Sequence, residues 1–178
     1  FPYLVLPVKN ARESGLLFPF VGAQNDEGLA YRQPFFWDIN ESEDLTFTPE
    51  FLARRGQGLD LQYRKIFSEK TWVELNSKYV NDKIYLPEKL NNNNSNSNFF
   101  RNFFELEAHY QPDLSLNQHV HIMGLKDLDF LRDFRYYTIN YDDSSDIGLN
   151  YTAEKRFDQF YVGTEVHYKR NLVTPDPL

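Results

Sequence analysis

Residues 33–56, QPFFWDINESEDLTFTPEFLARRG, show most clearly which fold class this chain adopts. Two runs rich in aromatic and β-branched residues flank the polar stretch INESE, which is the pattern of two strands joined by a turn. Each run also contains a proline, Pro34 and Pro49. Because proline has no N–H to donate to a sheet ladder, it is confined within sheets to edges, strand starts and bulges. The stretch therefore predicts β-structure and raises the question of what the prolines do in it.

The same alternation of apolar and polar residues recurs along the chain, whereas the 3.6-residue period of amphipathic helices is almost absent. Val120 and Ile122, for example, alternate with His119 and His121. We predict an all-β fold of antiparallel, up-and-down strands, with helices nearly absent. The ten predicted strands are residues 15–22, 28–38, 44–54, 58–67, 71–80, 100–110, 114–124, 134–141, 147–154 and 158–169.

The lengths of the strands and of their connections suggest a membrane barrel. Many predicted strands have about ten residues, which matches the 9–11 that a tilted strand needs to cross a bilayer. The long connections at 81–99 and 125–133 both follow odd-numbered strands and are predicted to lie at the cell surface. The short turns near residues 40, 69, 112 and 144 are predicted to lie in the periplasm, an asymmetry typical of outer-membrane barrels. A soluble β-sandwich or a lipocalin-like barrel remains open, because its strands alternate in the same way.

Composition limits the function classes. The chain has 178 residues, of which 41% are hydrophobic and 17% aromatic, enough for one domain with a core. Its net charge of −7 argues against a nucleic-acid partner, which would need clustered lysine and arginine. The absence of cysteine excludes disulfides and thiolate chemistry within this chain. There is no apolar run of 18 residues, so no membrane-spanning helix is predicted.

Motifs that carry catalysis are missing from the sequence. It contains no G-x-S-x-G, P-loop, G-x-G-x-x-G or H-E-x-x-H pattern, so no enzyme is predicted. His119 and His121 share a strand face, but no cysteine or carboxylate follows at a matching spacing, so neither a metal site nor a cofactor is predicted. In a barrel, the residues predicted to face the lumen are Asp60, Gln62, Glu105, Glu107, Asn117, His119 and His121. Those predicted to face lipid are Leu59, Leu61, Tyr63, Leu106, Leu114, Leu116, Ile147 and Leu149.

Three stretches together resemble a known family. SGLLFPFVG (14–22), QPFFWDINESEDLTFTPEFLARRGQGLDLQYR (33–64) and FLRDF (130–134) are similar to the LPS-assembly outer-membrane protein family, LptD. The chain departs from the family pattern at Asp38, where the family has Asn, and at Glu41-Ser42, where it has Ala-Pro. The matching positions are Gly15, Leu17, Pro19, Pro34, Trp37, Ile39, Asp44, Thr46, Thr48, Pro49, Arg55, Gly56 and Arg64.

The resemblance implies a fragment of a larger barrel in the outer membrane of a Gram-negative bacterium. Residues 1–12 would end a periplasmic jelly-roll domain or linker, and residues 13–178 would supply the N-terminal strands of the barrel. The implied function is transport of lipopolysaccharide into the outer leaflet through a lateral gate where the first and last strands meet. The implied partners are lipopolysaccharide, the lipoprotein plug LptE, the periplasmic bridge protein LptA and membrane lipid, without nucleic acid. The alternative is a porin-like or structural barrel that has no lateral gate.

The resemblance also suggests what the prolines do. Gly15, Leu17, Pro19 and Pro34 are predicted to form this chain's part of the gate. Pro19 and Pro34 would each delete a ladder hydrogen bond, worth on the order of 1 kcal/mol, and so loosen the hairpin beside the seam. The alternative is that they simply occupy bulges or strand ends. Pro49 is predicted to lie in a bulge of the third strand.

Overall fold

A computed structural model describes residues 12–24, 27–85, 99–127, 129–134 and 147–169. These residues form one eleven-stranded sheet and one short helix. The strands are β1 (Gly15–Leu16), β2 (Phe20–Gln24), β3 (Gly28–Arg32), β4 (Phe35–Asn40), β5 (Glu43–Leu52), β6 (Gly56–Ser68), β7 (Thr71–Asp82), β8 (Phe99–Asp113), β9 (Leu116–Leu125), β10 (Gly148–Arg156) and β11 (Tyr161–Lys169), with the helix α1 (Asp129–Asp133) between β9 and β10. Among the described residues, no helix is long and apolar enough to cross a membrane, since α1 has only five residues.

All pairings are antiparallel, and from β5 to β11 each strand pairs with the next one along the chain. The all-β, up-and-down prediction is confirmed. At the N-terminal side, β3 and β4 both pair with β5, β2 pairs with β3, and β1 pairs with β4. The predicted strands 15–22 and 28–38 are therefore each present as two halves: an edge strand made of β1 and β2, and a second strand made of β3 and β4. Within the described ranges the edge strand and β11 are not paired with each other, so the sheet is open.

Residues that lie directly opposite each other in an antiparallel ladder share a face of the sheet. One row of opposed residues crosses eight strands and is wholly apolar: Trp37, Leu45, Tyr63, Leu75, Leu106, Ile122, Leu149 and Tyr168. The row beside it lies on the opposite face and is wholly polar: Asp38, Asp44, Arg64, Glu74, Glu107, His121, Asn150 and His167. We call these two surfaces the apolar face and the polar face.

A small core lies on the polar face at the end where the longer connections emerge. Its buried members are Ala30, Leu52, Val80, Phe103, Met123, Leu125, Phe130, Phe134 and Ile147. Phe130 lies in α1 and Phe134 directly follows it, so the helix covers this end of the face. The prediction that Ile147 faces outward is wrong, since it precedes β10 and is only 3% exposed within this core. Leu114 was also expected on an outward strand face, but it lies in the turn between β8 and β9.

The connection between β9 and β10 differs from the prediction. Ile122 of β9 lies directly opposite Leu149 of β10, which leaves no place for a strand between them. Of the predicted strand 134–141, Phe134 lies in the turn after α1 and residues 135–141 lie outside the described residues. Because β9 and β10 are antiparallel neighbours, β9 ends and β10 begins at the same end of the sheet. The predicted short turn near residue 144 lies outside the described residues.

Candidate functional site

The edge strand is interrupted at Pro19. Between the pairs Leu16–Phe35 and Phe20–Arg32, the edge strand has one residue more than the second strand. That extra residue is a bulge, and Pro19 lies in it directly before β2. The missing N–H of Pro19 therefore falls where the ladder is already disrupted.

Pro34 lies in a different kind of break. The register of the second strand against β5 is unchanged on either side of it, from Arg32–Glu50 to Phe35–Phe47. On its other side the carbonyl of Pro34 accepts the Leu17 N–H at 2.9 Å. The return bond to the Leu17 carbonyl cannot form from a proline. That carbonyl instead accepts a hydrogen bond from Nε2 of Gln33 at 2.8 Å.

Pro49 does not occupy a bulge, so this prediction is wrong. It lies inside β5, opposite Leu59 of β6, and the β5–β6 register has no shift. Its carbonyl accepts the Gln33 N–H at 3.2 Å, so the side that lacks a donor faces the junction of β3 and β4. The two prolines, Pro34 and Pro49, thus border the same interruption between the second strand and β5.

The four residues predicted for the gate lie together at the sheet edge. Gly15 pairs with Phe36, Leu17 bonds to Pro34, and Pro19 separates β1 from β2. Near the start of this edge a side chain also takes part, because the Asp38 N–H donates to the Ser14 hydroxyl at 2.9 Å. The edge is thus held by few backbone bonds with side-chain support. Whether it opens stays a prediction.

All seven residues predicted to face a lumen lie on the polar face. The opposed pairs Gln62–Asn76, Asn76–Glu105, Glu107–His121 and His109–His119 place them in successive rows of that face. His119 and His121 contact Glu107 and Glu105 at 3.0 and 2.9 Å. The chain's four histidines all lie on this face: His109, His119, His121 and His167. Within the ranges that the structure describes, no group of three or more histidine, cysteine, aspartate or glutamate side chains is placed to hold a metal ion.

A buried ion cluster, which the sequence analysis missed, anchors α1 to the polar face. We call it the arginine cluster: Arg55, Asp82, Arg101, Asp127 and Asp133. Arg101 contacts Asp82 at 2.9 Å and Asp133 at 2.8 Å, and binds Asp127 through two hydrogen bonds of 2.6 and 3.0 Å. Arg55 contacts Asp82 at 2.7 Å. Because Arg101 and Asp82 are both fully buried, their charges are stable only while they stay paired.

Aromatic rings enclose the guanidinium of Arg101. The ring of Tyr85 lies 3.9 Å from it, and the rings of Phe130 and Phe134 lie at 5.5 and 5.3 Å. Burial, together with the nearby Asp127 carboxylate, raises the pKa of the Tyr85 phenol, so that this ring stays uncharged. The enclosure stabilises the cation through its contact with the ring faces.

A second buried ion cluster joins three strands beside the first. Glu50 of β5 contacts Arg32 of β3 at 3.2 Å and Lys78 of β7 at 2.5 Å. Arg32 also contacts Glu27 at 2.5 Å. The sequence offered one signal for both clusters, since Lys78, Asp82 and Arg101 are in phase with the residues predicted to face the lumen. Spacing alone does not show that α1 folds over them.

The polar face also carries a cavity at the opposite end, near the short turns. It has a volume of about 800 Å³ and is bordered by the aromatic rings of Phe36 and Trp72 and by Arg12 and Arg64. Both arginines bind one carboxylate, Asp44, with Arg64 Nε at 3.0 Å from its Oδ1. The cavity therefore combines apolar walls with charged groups, which suits the parts of an amphiphilic molecule.

Comparison with known proteins gives one consistent result, although no family model matches the chain. The LPS-assembly protein LptD of Pseudoalteromonas atlantica is 31% identical over 156 residues, covering 86% of this chain and 19% of that protein. LptD of Haemophilus influenzae is 46% identical over 67 residues, which is 38% of this chain and 9% of that protein. LptD of Coxiella burnetii is 33% identical over 85 residues, covering 48% of this chain and 10% of that protein. The chain thus spans at most about a fifth of the length of these relatives. It belongs to the LPS-assembly protein LptD family and represents one segment of such a protein.

Proposed function

We propose that this segment is part of an outer-membrane β-barrel that transports lipopolysaccharide and inserts it into the outer leaflet. The relatives are named for LPS assembly, and the one from Pseudoalteromonas atlantica aligns with 86% of this chain at 31% identity. The observation that carries the proposal is the pair of neighbouring rows, one wholly apolar and one wholly polar, that run across eight strands. In outer-membrane barrels, strands with this alternation have one face against lipid and the other around an aqueous interior, which supports the proposal.

The remaining parts of the proposal follow from the family. Residues 1–12 end a periplasmic jelly-roll domain or linker, and residues 13–178 contribute the first strands of the barrel. Further strands, outside this chain, pair with its free edges and close the barrel. LptE occupies the interior and LptA delivers the substrate from the periplasm. The proposed activity is transport.

The edge strand is proposed as one side of the lateral gate. Support comes from the interruption of its pairing with the second strand: Gly15–Phe36 and Leu16–Phe35 pair before the bulge at Pro19, and the five pairs of β2 with β3 follow it. The part before the bulge is held by few ladder bonds and separates from its neighbour at low cost, since each bond contributes about 1 kcal/mol. The cavity bordered by Phe36 and Trp72 lies on the polar face near the short turns, and we propose that a lipid with a charged head group enters there.

The test is replacement of the two edge prolines in the full-length protein. Pro34→Ala adds a backbone N–H opposite the Leu17 carbonyl, and Pro19→Ala adds one within the bulge, so the closed hairpin gains at most one ladder bond, worth about 1 kcal/mol. We expect less lipopolysaccharide at the cell surface and greater sensitivity to large hydrophobic antibiotics, at an unchanged level of assembled protein. Pro49→Ala is the matched control, because Pro49 lies inside β5, away from the edge strand. Normal surface lipopolysaccharide in the double variant would favour a barrel without a lateral gate.

A further inference from the structure

One hydrogen bond at the edge is made by a side chain in place of the backbone. In a hydrogen-bonded pair of an antiparallel ladder, the two residues exchange two N–H···O bonds. Leu17 and Pro34 make one of these, from the Leu17 N–H to the Pro34 carbonyl at 2.9 Å. The second would need an N–H on residue 34. The Leu17 carbonyl receives its bond from Nε2 of Gln33 instead, at 2.8 Å.

The surroundings of Gln33 hold its side chain in this position. Its Oε1 accepts the Tyr31 hydroxyl at 3.0 Å, and its Nε2 lies 3.2 Å from the Pro34 carbonyl as a second acceptor. Its own backbone N–H is bonded to the Pro49 carbonyl, so the residue is fixed in the second strand. The side chain therefore reaches from the second strand to the edge strand.

The hydrogen bond from Gln33 to the Leu17 carbonyl is important because of where it lies in the sheet. Tyr31 lies opposite Phe51, which is on the same face of β5 as Leu45. The side chains of Tyr31 and Gln33 are therefore on the apolar face. A backbone carbonyl without a partner on a lipid-facing surface costs several kcal/mol, because no water is present to replace the bond. With Gln33 in place, the Leu17 carbonyl has a donor.

We propose that Gln33 is a positioning residue of the edge strand, whose side-chain amide substitutes for the N–H that Pro34 lacks. The bond between the first two strands then depends on a side chain that can rotate, and its loss frees the Leu17 carbonyl without unfolding the second strand. The proposal rests on the proposed function, in which separation of this edge accompanies transport. Gln33 acts through Leu17 and needs no contact with the transported molecule.

The test combines one substitution with its rescue. Gln33→Leu in the full-length protein removes the donor at similar side-chain size. Hydrogen exchange of the Leu17 amide, measured in lipid nanodiscs, should become about fivefold faster, the effect expected for one lost hydrogen bond. Adding Pro34→Ala supplies a backbone N–H to the same carbonyl and should return exchange to the original rate. The control is Gln57→Leu, the same substitution on β6. Gln57 lies opposite Phe51 on the apolar face, and its replacement should change nothing at Leu17.

Two outcomes would overturn the proposal: exchange at Leu17 that Gln33→Leu leaves unchanged, or faster exchange that Pro34→Ala fails to restore. If Gln33→Leu does not assemble, Tyr31→Phe keeps the amide and removes only the hydroxyl that orients it. That variant should accelerate exchange by about twofold, and an unchanged rate would count against the proposal.

Surface lipopolysaccharide in the same variants separates this proposal from the proposed function. Accelerated exchange with rescue, together with an altered level of surface lipopolysaccharide, supports both. Accelerated exchange with rescue at a constant level of surface lipopolysaccharide supports the role of Gln33 and rejects edge separation as a step in transport.

Discussion

The two edge prolines lack the same N–H but affect the sheet differently. Pro19 lies in a bulge, where the ladder is already broken. Pro34 lies in continuous register, and the bond that it cannot make is replaced by Gln33. The sequence predicts that both prolines interrupt strands, because that depends only on the chemistry of proline. It does not show the substitute donor, because that requires knowing which residue lies across the break.

For the polar and charged residues of the polar face, too, the sequence predicts one property and not another: it predicts the face that they share but not their burial. Their alternation with apolar residues indicates one shared face, and Asp60, Gln62, Glu105 and His121 do share it. Burial was not predicted for Lys78 or Arg101, because long charged side chains are mostly exposed. They are buried here since carboxylates from distant parts of the chain neutralise them.

Neighbouring residues in the middle of β9 test which face meets lipid. Val120 lies on the apolar face and His121 on the polar face, opposite Glu107. Because an arginine on a lipid-facing surface near the midplane costs about 2–4 kcal/mol, Val120→Arg should sharply lower folding of the full-length protein into lipid vesicles. His121→Arg should have little effect, since an arginine there can pair with glutamate. Equal effects of the two substitutions would indicate a soluble sandwich.

At the scale of elements, strand positions were predictable and strand pairing was less so. Period-two alternation located β5 to β9 within a few residues, because each strand separates a polar from an apolar environment. The segment after β9 has the composition of a strand at 134–141, yet β9 pairs with β10. Which strands pair depends on contacts between distant residues, here including the arginine cluster that holds α1 against β8.

The strand pairing predicts which turns should be accessible from outside the cell. Ile84 and Lys126 follow β7 and β9 at the end with the long connections, while Leu114 lies in the turn at the other end. The segment has no cysteine, so single replacements can be labelled against the unmodified full-length protein as background. A membrane-impermeant maleimide should label Ile84→Cys and Lys126→Cys on intact cells. Leu114→Cys should react only after the outer membrane is permeabilised, and the reverse pattern would invert the proposed topology.

At the scale of the whole molecule, the described sheet has two free edges that differ in character. The edge strand is interrupted by a bulge and held partly by side chains, whereas β11 pairs with β10 at all nine of its positions. An open sheet with exposed edges pairs readily with further strands. The chain spans about a fifth of the Pseudoalteromonas atlantica relative, which leaves ample length for the strands that the proposed barrel requires.

In the proposed barrel the edge strand lies at the seam, and we propose that this edge separates during transport. The pair Leu16–Phe35 is suited to a test, because the adjacent Leu17–Pro34 pair is hydrogen-bonded. Leu16–Phe35 is therefore a non-hydrogen-bonded pair, the closer type, and lies within reach of a disulfide.

The decisive measurement is surface lipopolysaccharide in cells that carry full-length Leu16→Cys/Phe35→Cys, before and after reduction. Gln62→Cys/Asn76→Cys, a directly opposed pair in the centre of the sheet, is the control. We predict that the oxidised edge pair blocks delivery to the surface, that a reducing agent restores it, and that the control pair delivers normally in both states. Normal delivery with the edge disulfide fully formed would contradict the claim that this edge opens.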